Sequence, residues 1–333
     1  MVKLRSDNQH YDAWLQWYIN YQCNLNCIYC FQYPDRNQSL FKKISGVFSH
    51  NLFRKIKKAS AIRLPTLLGS IHYKLFRVNK TSPINICALI KSLDRTNKTF
   101  RVGFAGGEPF LVPNLIEACV EITKKHFISL NTNLVTGKVE EFAEKISPAR
   151  TLHIVASLHI NELERYHLVN RYLNNFLKYQ KKGFNIIAEA VAYPSLLDKA
   201  AKYKIFFQEK GIAVNFSSFL GDYHGKKYPE SYSDEELQVF GLDKCCRLQN
   251  HLRGKACNVG YNVALVLPTG VIDLCHQVHQ EIGNIYKNIK FSHKLITCPF
   301  DFCNCPLNIY DPYLFEKACS ETSSDNFIKN EVV

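Results

Sequence analysis

Gln22-Cys23-Asn24-Leu25-Asn26-Cys27-Ile28-Tyr29-Cys30-Phe31 sets three cysteines at the spacing C-x3-C-x2-C, directly after an apolar, aromatic run. Three thiolates within eight residues can hold a [4Fe–4S] cube by three of its irons and leave the fourth iron without a protein ligand. An iron left open in this way can bind a cofactor. Two other readings stand beside it. One is a zinc site, which wants four protein ligands when it is structural; the other is chance clustering among the thirteen cysteines of the chain.

A second stretch bears on the choice. Phe100-Arg101-Val102-Gly103-Phe104-Ala105 reads as a short buried strand, and Gly106-Gly107-Glu108-Pro109 ends it. Glycines let a backbone approach a ligand closely, and a backbone carbonyl or the Glu108 carboxylate can accept from an ammonium. Cys23, Cys27 and Cys30 with the aromatic Phe31, followed downstream by residues 106–109, resemble the signature of the radical S-adenosylmethionine (radical SAM) superfamily. The resemblance implies a [4Fe–4S] cluster on the three cysteines, with its open iron chelating the amine and carboxylate of S-adenosylmethionine (SAM). An electron from the cluster then cleaves SAM to methionine and a 5′-deoxyadenosyl radical, which takes a hydrogen atom from a substrate C–H bond. It implies as well that Gly106, Gly107, Glu108 and Pro109 meet the SAM amino group, and that an electron donor such as flavodoxin or ferredoxin is a partner.

Around these motifs the chain alternates. Residues 14–21 suit a first strand that delivers the cysteine loop at its C-terminal end. Helices are expected over 84–93, 113–125, 137–146, 164–181 and 197–210, and strands over 100–104, 127–130, 151–157, 184–191 and 212–216. Six strands separated by helices imply parallel pairing with right-handed crossovers. The fold class is therefore α/β, and the pattern resembles the partial (β/α)6 TIM-like barrel of the radical SAM core over residues 12–220. Ligands bind at the C-terminal ends of such strands. Asn131 and Asn133 close the third strand there, and Ser157 and His159 close the fourth. The resemblance gives Asn133 and Ser157 contacts with the cofactor, Ser157 on the SAM ribose or carboxylate, and lets Arg165 reach the SAM carboxylate. Plain solvation of strand ends explains such residues too. His159 either lines the substrate pocket or is a strand-end histidine satisfied by a neighbour.

Of the remaining cysteines, Cys87 and Cys119 fall in expected helices and read as small buried residues, and Cys319 is given no role. Seven lie between 245 and 305. Residues 263–274 read as two apolar strands joined at Pro268-Thr269-Gly270, a hairpin that would bring flanking cysteines to one end. Cys257, Gly270-x4-Cys275, Gly283-Asn284-Ile285 and a final group of Cys298, Cys303 and Cys305 resemble the auxiliary-cluster domains called SPASM and twitch. The short final group fits one auxiliary [4Fe–4S] cluster, the twitch arrangement, on Cys257, Cys275 and two of Cys298, Cys303 and Cys305; Cys245 or Cys246 could substitute. A zinc knuckle on Cys298, Cys303 and Cys305 is the alternative. The expected organisation is a core over 12–220 with a basic insertion at about 36–80, a linker over 221–244, a small cysteine-rich domain with a β-hairpin over 245–310, and a tail over 311–333. In the linker, Asp222, Tyr223 and His224 form the local group that could supply a catalytic base.

With 46% hydrophobic and 21% charged residues the composition is that of a folded chain rather than a disordered one. No run of 18 apolar residues and no signal-peptide core appears, so a cytoplasmic location is expected, and thiolates serving metal rather than disulfides. The net charge is +13, and residues 36–93 hold twelve Lys or Arg with no Asp or Glu, which leaves about +1 for the rest. That basic stretch could touch an anionic membrane surface, hold an anionic substrate, or form a solvated lid. It carries no recognisable RNA-binding pattern, so nucleic acid is not an expected partner. Related enzymes with auxiliary clusters oxidise or cross-link their substrates. The expected substrate is a small anionic or sugar-like molecule, with a ribosomal peptide or protein as the alternative, and a non-catalytic iron–sulfur or zinc scaffold as the rival from another class.

Overall fold

The computed structural model describes residues 9–30, 81–247, 252–278, 280–301 and 312–323. The basic insertion at 36–80, Cys303 and Cys305 lie outside them.

Six strands run parallel in sequence order: β1 (Ala13–Asn20), β2 (Phe100–Gly106), β3 (Phe127–Thr132), β4 (Thr151–Ser157), β5 (Ile186–Ala192) and β6 (Val214–Ser218). Between them lie helices α1 (Ile86–Asp94), α2 (Leu115–Thr123), α3 (Val139–Lys145), α4 (Ile160–Arg165), α5 (Val169–Lys181) and α6 (Leu197–Gln208). This is the expected alternation, in the arrangement of a partial barrel. One sheet face is apolar: Leu15, Trp17, Val102, Phe104, Leu130, Ile154 and Ala188 pack into the main core beneath the helices. Helix α5 shows why, since Tyr172, Phe176 and Tyr179 fall at helical spacing and are its buried residues. The other face is polar where the helices do not cover it. Register places Ser157 beside Glu189 and Glu189 beside Asn215 on that face. Lower down, Arg101 is buried there, stacked 4.0 Å over the Trp14 ring and bonded to Ser129 and His153.

Three differences from the sequence expectation have physical causes. The helix expected over 164–181 is two helices, because His167 sits at φ 56 and breaks the hydrogen-bond ladder between α4 and α5. The linker expected over 221–244 contains a hairpin, β7 (Gly221–Tyr223) and β8 (Lys226–Tyr228), whose turn His224-Gly225 takes positive φ at both residues. Cys87, expected to be buried, is exposed. Cys119 is buried.

After α7 (Asp234–Phe240) come β9 (Ala256–Cys257), β10 (Val263–Val266), β11 (Val271–Asp273), β12 (Glu281–Asn284) and β13 (Ile296–Thr297), then α8 (Pro312–Ser323). The hairpin of β10 and β11 forms as expected. It is not set apart from the core, because β10 pairs in parallel with the free edge of β1 and the sheet becomes nine-stranded, β12-β11-β10-β1-β2-β3-β4-β5-β6. A second apolar cluster joins Trp14, Phe127, Val263 and Leu265 of the sheet to Cys257, Cys275 and Leu314. Lys317 pairs with Asp12 at 2.6 Å and Asn262 donates to the Leu314 carbonyl, so α8 is tied to both ends of the fold. Replacing the buried Leu314 by alanine empties part of that cluster, and we expect a loss of about 2–4 kcal/mol in unfolding free energy, measured by urea denaturation.

Candidate functional site

The cysteine loop begins where β1 ends, and backbone bonds fix it against the end of β2. Gly107 N–H donates to the Asn20 carbonyl at 2.9 Å and Glu108 N–H to the Gln22 carbonyl at 2.7 Å. There is no room for side chains in this contact. A Cβ on Gly106, at φ +132, would lie 2.3 Å from the Asn20 carbonyl oxygen, and one on Gly107 would lie 1.9 Å from that of Gln22. The glycine pair is thus required by the close approach of the cysteine segment itself.

Glu108 is fully buried, and its carboxylate turns into the protein. Oε1 accepts from Phe110 N–H at 3.1 Å and from the Thr132 hydroxyl at 2.8 Å, and Oε2 accepts from Asn133 N–H at 2.8 Å. The side chain therefore braces β2 against the end of β3. Burial outweighs these three donors and pushes its pKa up to about 7. An ammonium would instead meet Asn20, whose Oδ1 beside Gly107 is buried and has no partner among the described residues. An unpartnered buried acceptor at this point fits a ligand that brings a donor, as the SAM amine does.

Asn133 reaches the loop from β3. Its Nδ2 donates to Asn24 Oδ1 at 2.7 Å and lies 3.8 Å from Cys23 Sγ, and Leu25 N–H points at the same sulfur at 3.4 Å. Two groups beyond β4 reach it from the other side. Glu162 Oε2 accepts from Asn26 N–H at 3.0 Å, and His159 Nδ1 shares a hydrogen bond with the Tyr29 hydroxyl at 3.2 Å. His159 is thus satisfied by a neighbour, and burial lowers its pKa to about 4, so the imidazole is neutral.

The three thiols face one another. Burial raises Cys23 to about 11, with further rises from Glu108 and Cys30, and raises Cys27 further still, with Cys23, Cys30 and Glu162 adding to it. Among the described residues no three Cys, His, Asp or Glu side chains close on one point as a single metal ion requires. Three cysteines at this sequence spacing match the ligand set of a four-iron cube, whereas a structural zinc would need a fourth protein ligand.

A profile of the Radical SAM superfamily matches residues 17–201, more than half of the 333-residue chain. The chain belongs to the radical SAM superfamily. No curated protein matches the sequence. Among solved structures, Streptococcus suis SuiB bound to S-adenosylmethionine superposes with a TM-score of 0.48 at 15% identity, covering 83% of this chain and 64% of SuiB. SuiB bound to precursor peptide SuiA gives 0.49 at 16%, covering 92% and 66%. Native anSMEcpe with bound AdoMet gives 0.47 at 17%, covering 82% and 77%. The chain spans less than two thirds of the length of the SuiB chains.

In this radical SAM chain the other sequence-derived residues separate into groups. Ser157 is half-buried at the mouth of the polar face, beside Glu189. The Arg165 side chain is 63% exposed and lies 3.8 Å from Glu162 Oε1. Asp222 and His224 are exposed on the β7–β8 hairpin, while Tyr223 packs edge-on to Tyr193, which in turn lies 5.1 Å from the Tyr29 ring. Cys257, Cys275 and Cys298 are buried and line one pocket, closed by Lys255, Val278 and Phe300. Pairing of β9 with β13 and a bond from Cys298 N–H to the Lys255 carbonyl bring them together, and Val278 N–H donates to Cys275 Sγ at 3.2 Å. Cys245 is exposed and Cys246 packs against the main core, so neither joins this pocket. Sequence reasoning missed Glu162, and no local pattern marks it.

Two outcomes test the geometry. Gly107→Ala should leave the far-UV circular dichroism unchanged and lose most of the iron taken up at the loop on anaerobic reconstitution. For Glu108 the folded pKa of about 7 lies above the ordinary 4.5, so between these values the folded chain holds a proton that the unfolded chain has released. Stability from this group is therefore present at low pH and falls as pH rises from about 4.5 to 7. The difference in urea midpoint between wild type and Glu108→Gln should shrink across that window and level off above it.

Proposed function

We propose that the chain is an enzyme that cleaves SAM reductively and takes a hydrogen atom from a substrate C–H bond. Cys23, Cys27 and Cys30 would hold the [4Fe–4S] cluster, which supplies the electron for that cleavage. The observation that carries the reading is the seating of residues 106–109 on the cysteine loop through the two backbone bonds to Asn20 and Gln22. Beside that seat the buried Asn20 Oδ1 lacks a partner among the described residues, and a ligand amine would supply one. Asn20 Oδ1 would receive the SAM amine, Asn133 would hold the loop, and Ser157 would face the ribose or carboxylate. Cys257, Cys275 and Cys298, with a ligand from Cys303 or Cys305, would hold an auxiliary cluster.

For the substrate we adopt a peptide or protein side chain over a small anionic molecule. The anionic reading drew on the basic insertion, which lies outside the described residues. Among the described residues, the open part of the polar face carries Asn131, Ser157, Glu189, Asn215 and Ser217, a carboxylate and neutral groups without a cation. Such a surface suits amide and amine donors better than a phosphate. SuiB and anSMEcpe have been solved with peptides bound, SuiA and Cp18Cys.

Anaerobic reconstitution of wild type and a Cys23/Cys27/Cys30→Ala triple variant tests the proposal. Wild type should bind about eight irons and the variant about four. A SAM-dependent change in low-temperature EPR and formation of 5′-deoxyadenosine should be confined to wild type. Zinc in place of iron, or a wild type that holds only about four irons, all of them retained by the variant, and forms no 5′-deoxyadenosine, would leave the scaffold reading in its place.

A further inference from the structure

We infer that Glu162 is a positioning residue for the cysteine loop, acting through the backbone of Asn26. The inference rests on the reading that Cys23, Cys27 and Cys30 hold a cluster.

Residues 21–30 form no helix or strand, so their backbone groups need partners elsewhere. Within the loop Cys30 N–H donates to the Cys27 carbonyl and Leu25 N–H points at Cys23 Sγ. Asn26, directly before Cys27, instead finds its partner 136 positions along the chain, in the Glu162 carboxylate. Glu162 is 7% exposed. A glutamate in the first turn of a helix usually faces water and favours the helix dipole. This one is turned inward, with Oε2 on the Asn26 amide at 3.0 Å and the mostly exposed Arg165 no nearer than 3.8 Å to Oε1. Burying a carboxylate beside thiols, whose ionisation it opposes, is unfavourable unless the bond it makes is needed. A charge-assisted bond to a backbone amide is among the stronger ones available.

The position of this bond decides what it does. Gly107, Glu108 and Asn133 hold the first half of the loop, up to Asn24. Without Glu162 the turn carrying Cys27 loses this hydrogen bond to α4 and is left with apolar packing of Cys27 and Tyr29, the contacts of Tyr29 with His159 and Tyr193, and the short-range bonds of the loop itself. Glu162 thus sets Cys27 relative to Cys23 before any iron arrives, with β4 and α4 as the fixed frame.

The test uses the full chain as Glu162→Ala and Glu162→Gln. The glutamine keeps an oxygen that can accept from Asn26 and discards the charge. Hydrogen exchange is followed in the metal-free protein over residues 22–30, and iron retained per chain is counted after anaerobic reconstitution and desalting. In Glu162→Ala, exchange in this segment should quicken by about tenfold or more while β2, β3 and β4 stay protected, and most of the loop iron should be lost. Glu162→Gln should return both readouts to within about twofold of wild type. Unchanged exchange and iron in Glu162→Ala, or a glutamine variant as impaired as the alanine one, overturns the inference. Should Glu162→Ala not fold, Glu162→Met, which fills similar space without an oxygen acceptor, takes its place: fast exchange in residues 22–30 supports the inference and wild-type exchange overturns it. The exchange experiment needs neither iron nor SAM, so its result stands apart from any failure to form 5′-deoxyadenosine.

Discussion

The backbone of Gly106 and Gly107 runs against the backbone of residues 20–22 with no side chain between them. Most of the site depends on this approach. It sets where the cysteine loop leaves β1, and it continues into Glu108, whose carboxylate ties β2 to Thr132 and Asn133. Asn133 then returns to the loop through Asn24 and Cys23. The result is a closed circuit of short bonds through three strand ends. A circuit of this kind resists distortion at any one point, because moving one strand end strains bonds at the other two.

The circuit also explains an unfavourable feature of the site. Glu108, Glu162 and three thiols lie close together, and burial raises the pKa of Glu108, Cys23 and Cys27. The Cys23 and Cys27 thiols are held protonated in the absence of metal, and iron would replace those protons. Metal uptake and proton release are coupled in any thiolate site, and here the neighbouring carboxylates strengthen the coupling.

Much of this was legible in the chain because the chemistry is local. Cys23, Cys27 and Cys30 fall within eight residues, residues 106–109 are contiguous, and β1 to β5 are largely apolar runs that stand out from their helices. The parts that escaped are those whose cause is distant. Glu162 is unremarkable in Ile160-Asn161-Glu162-Leu163-Glu164 until β4 brings it to Asn26. The break between α4 and α5 depends on the backbone of His167, a residue that helices ordinarily tolerate. The β7–β8 hairpin is polar and largely exposed, so no alternation announced it. Gly107 meets the backbone of Gln22, a partner that only the pairing of β1 with β2 reveals.

The pairing of β10 with β1 bears on how the molecule is made. The strand that carries the cysteine loop is synthesised well before β10, so one of its edges is covered only when residues 263–266 arrive, and the Trp17 indole then bonds to the Leu267 carbonyl, 250 positions later. At ordinary ribosomal speed that interval is on the order of tens of seconds. Throughout it β1 presents an open row of backbone donors and acceptors, the kind of edge on which chains aggregate. A nascent chain of this protein therefore has reason to be shielded until β10 has been made, and iron delivered earlier would meet a loop whose supporting strand is still bare on one side.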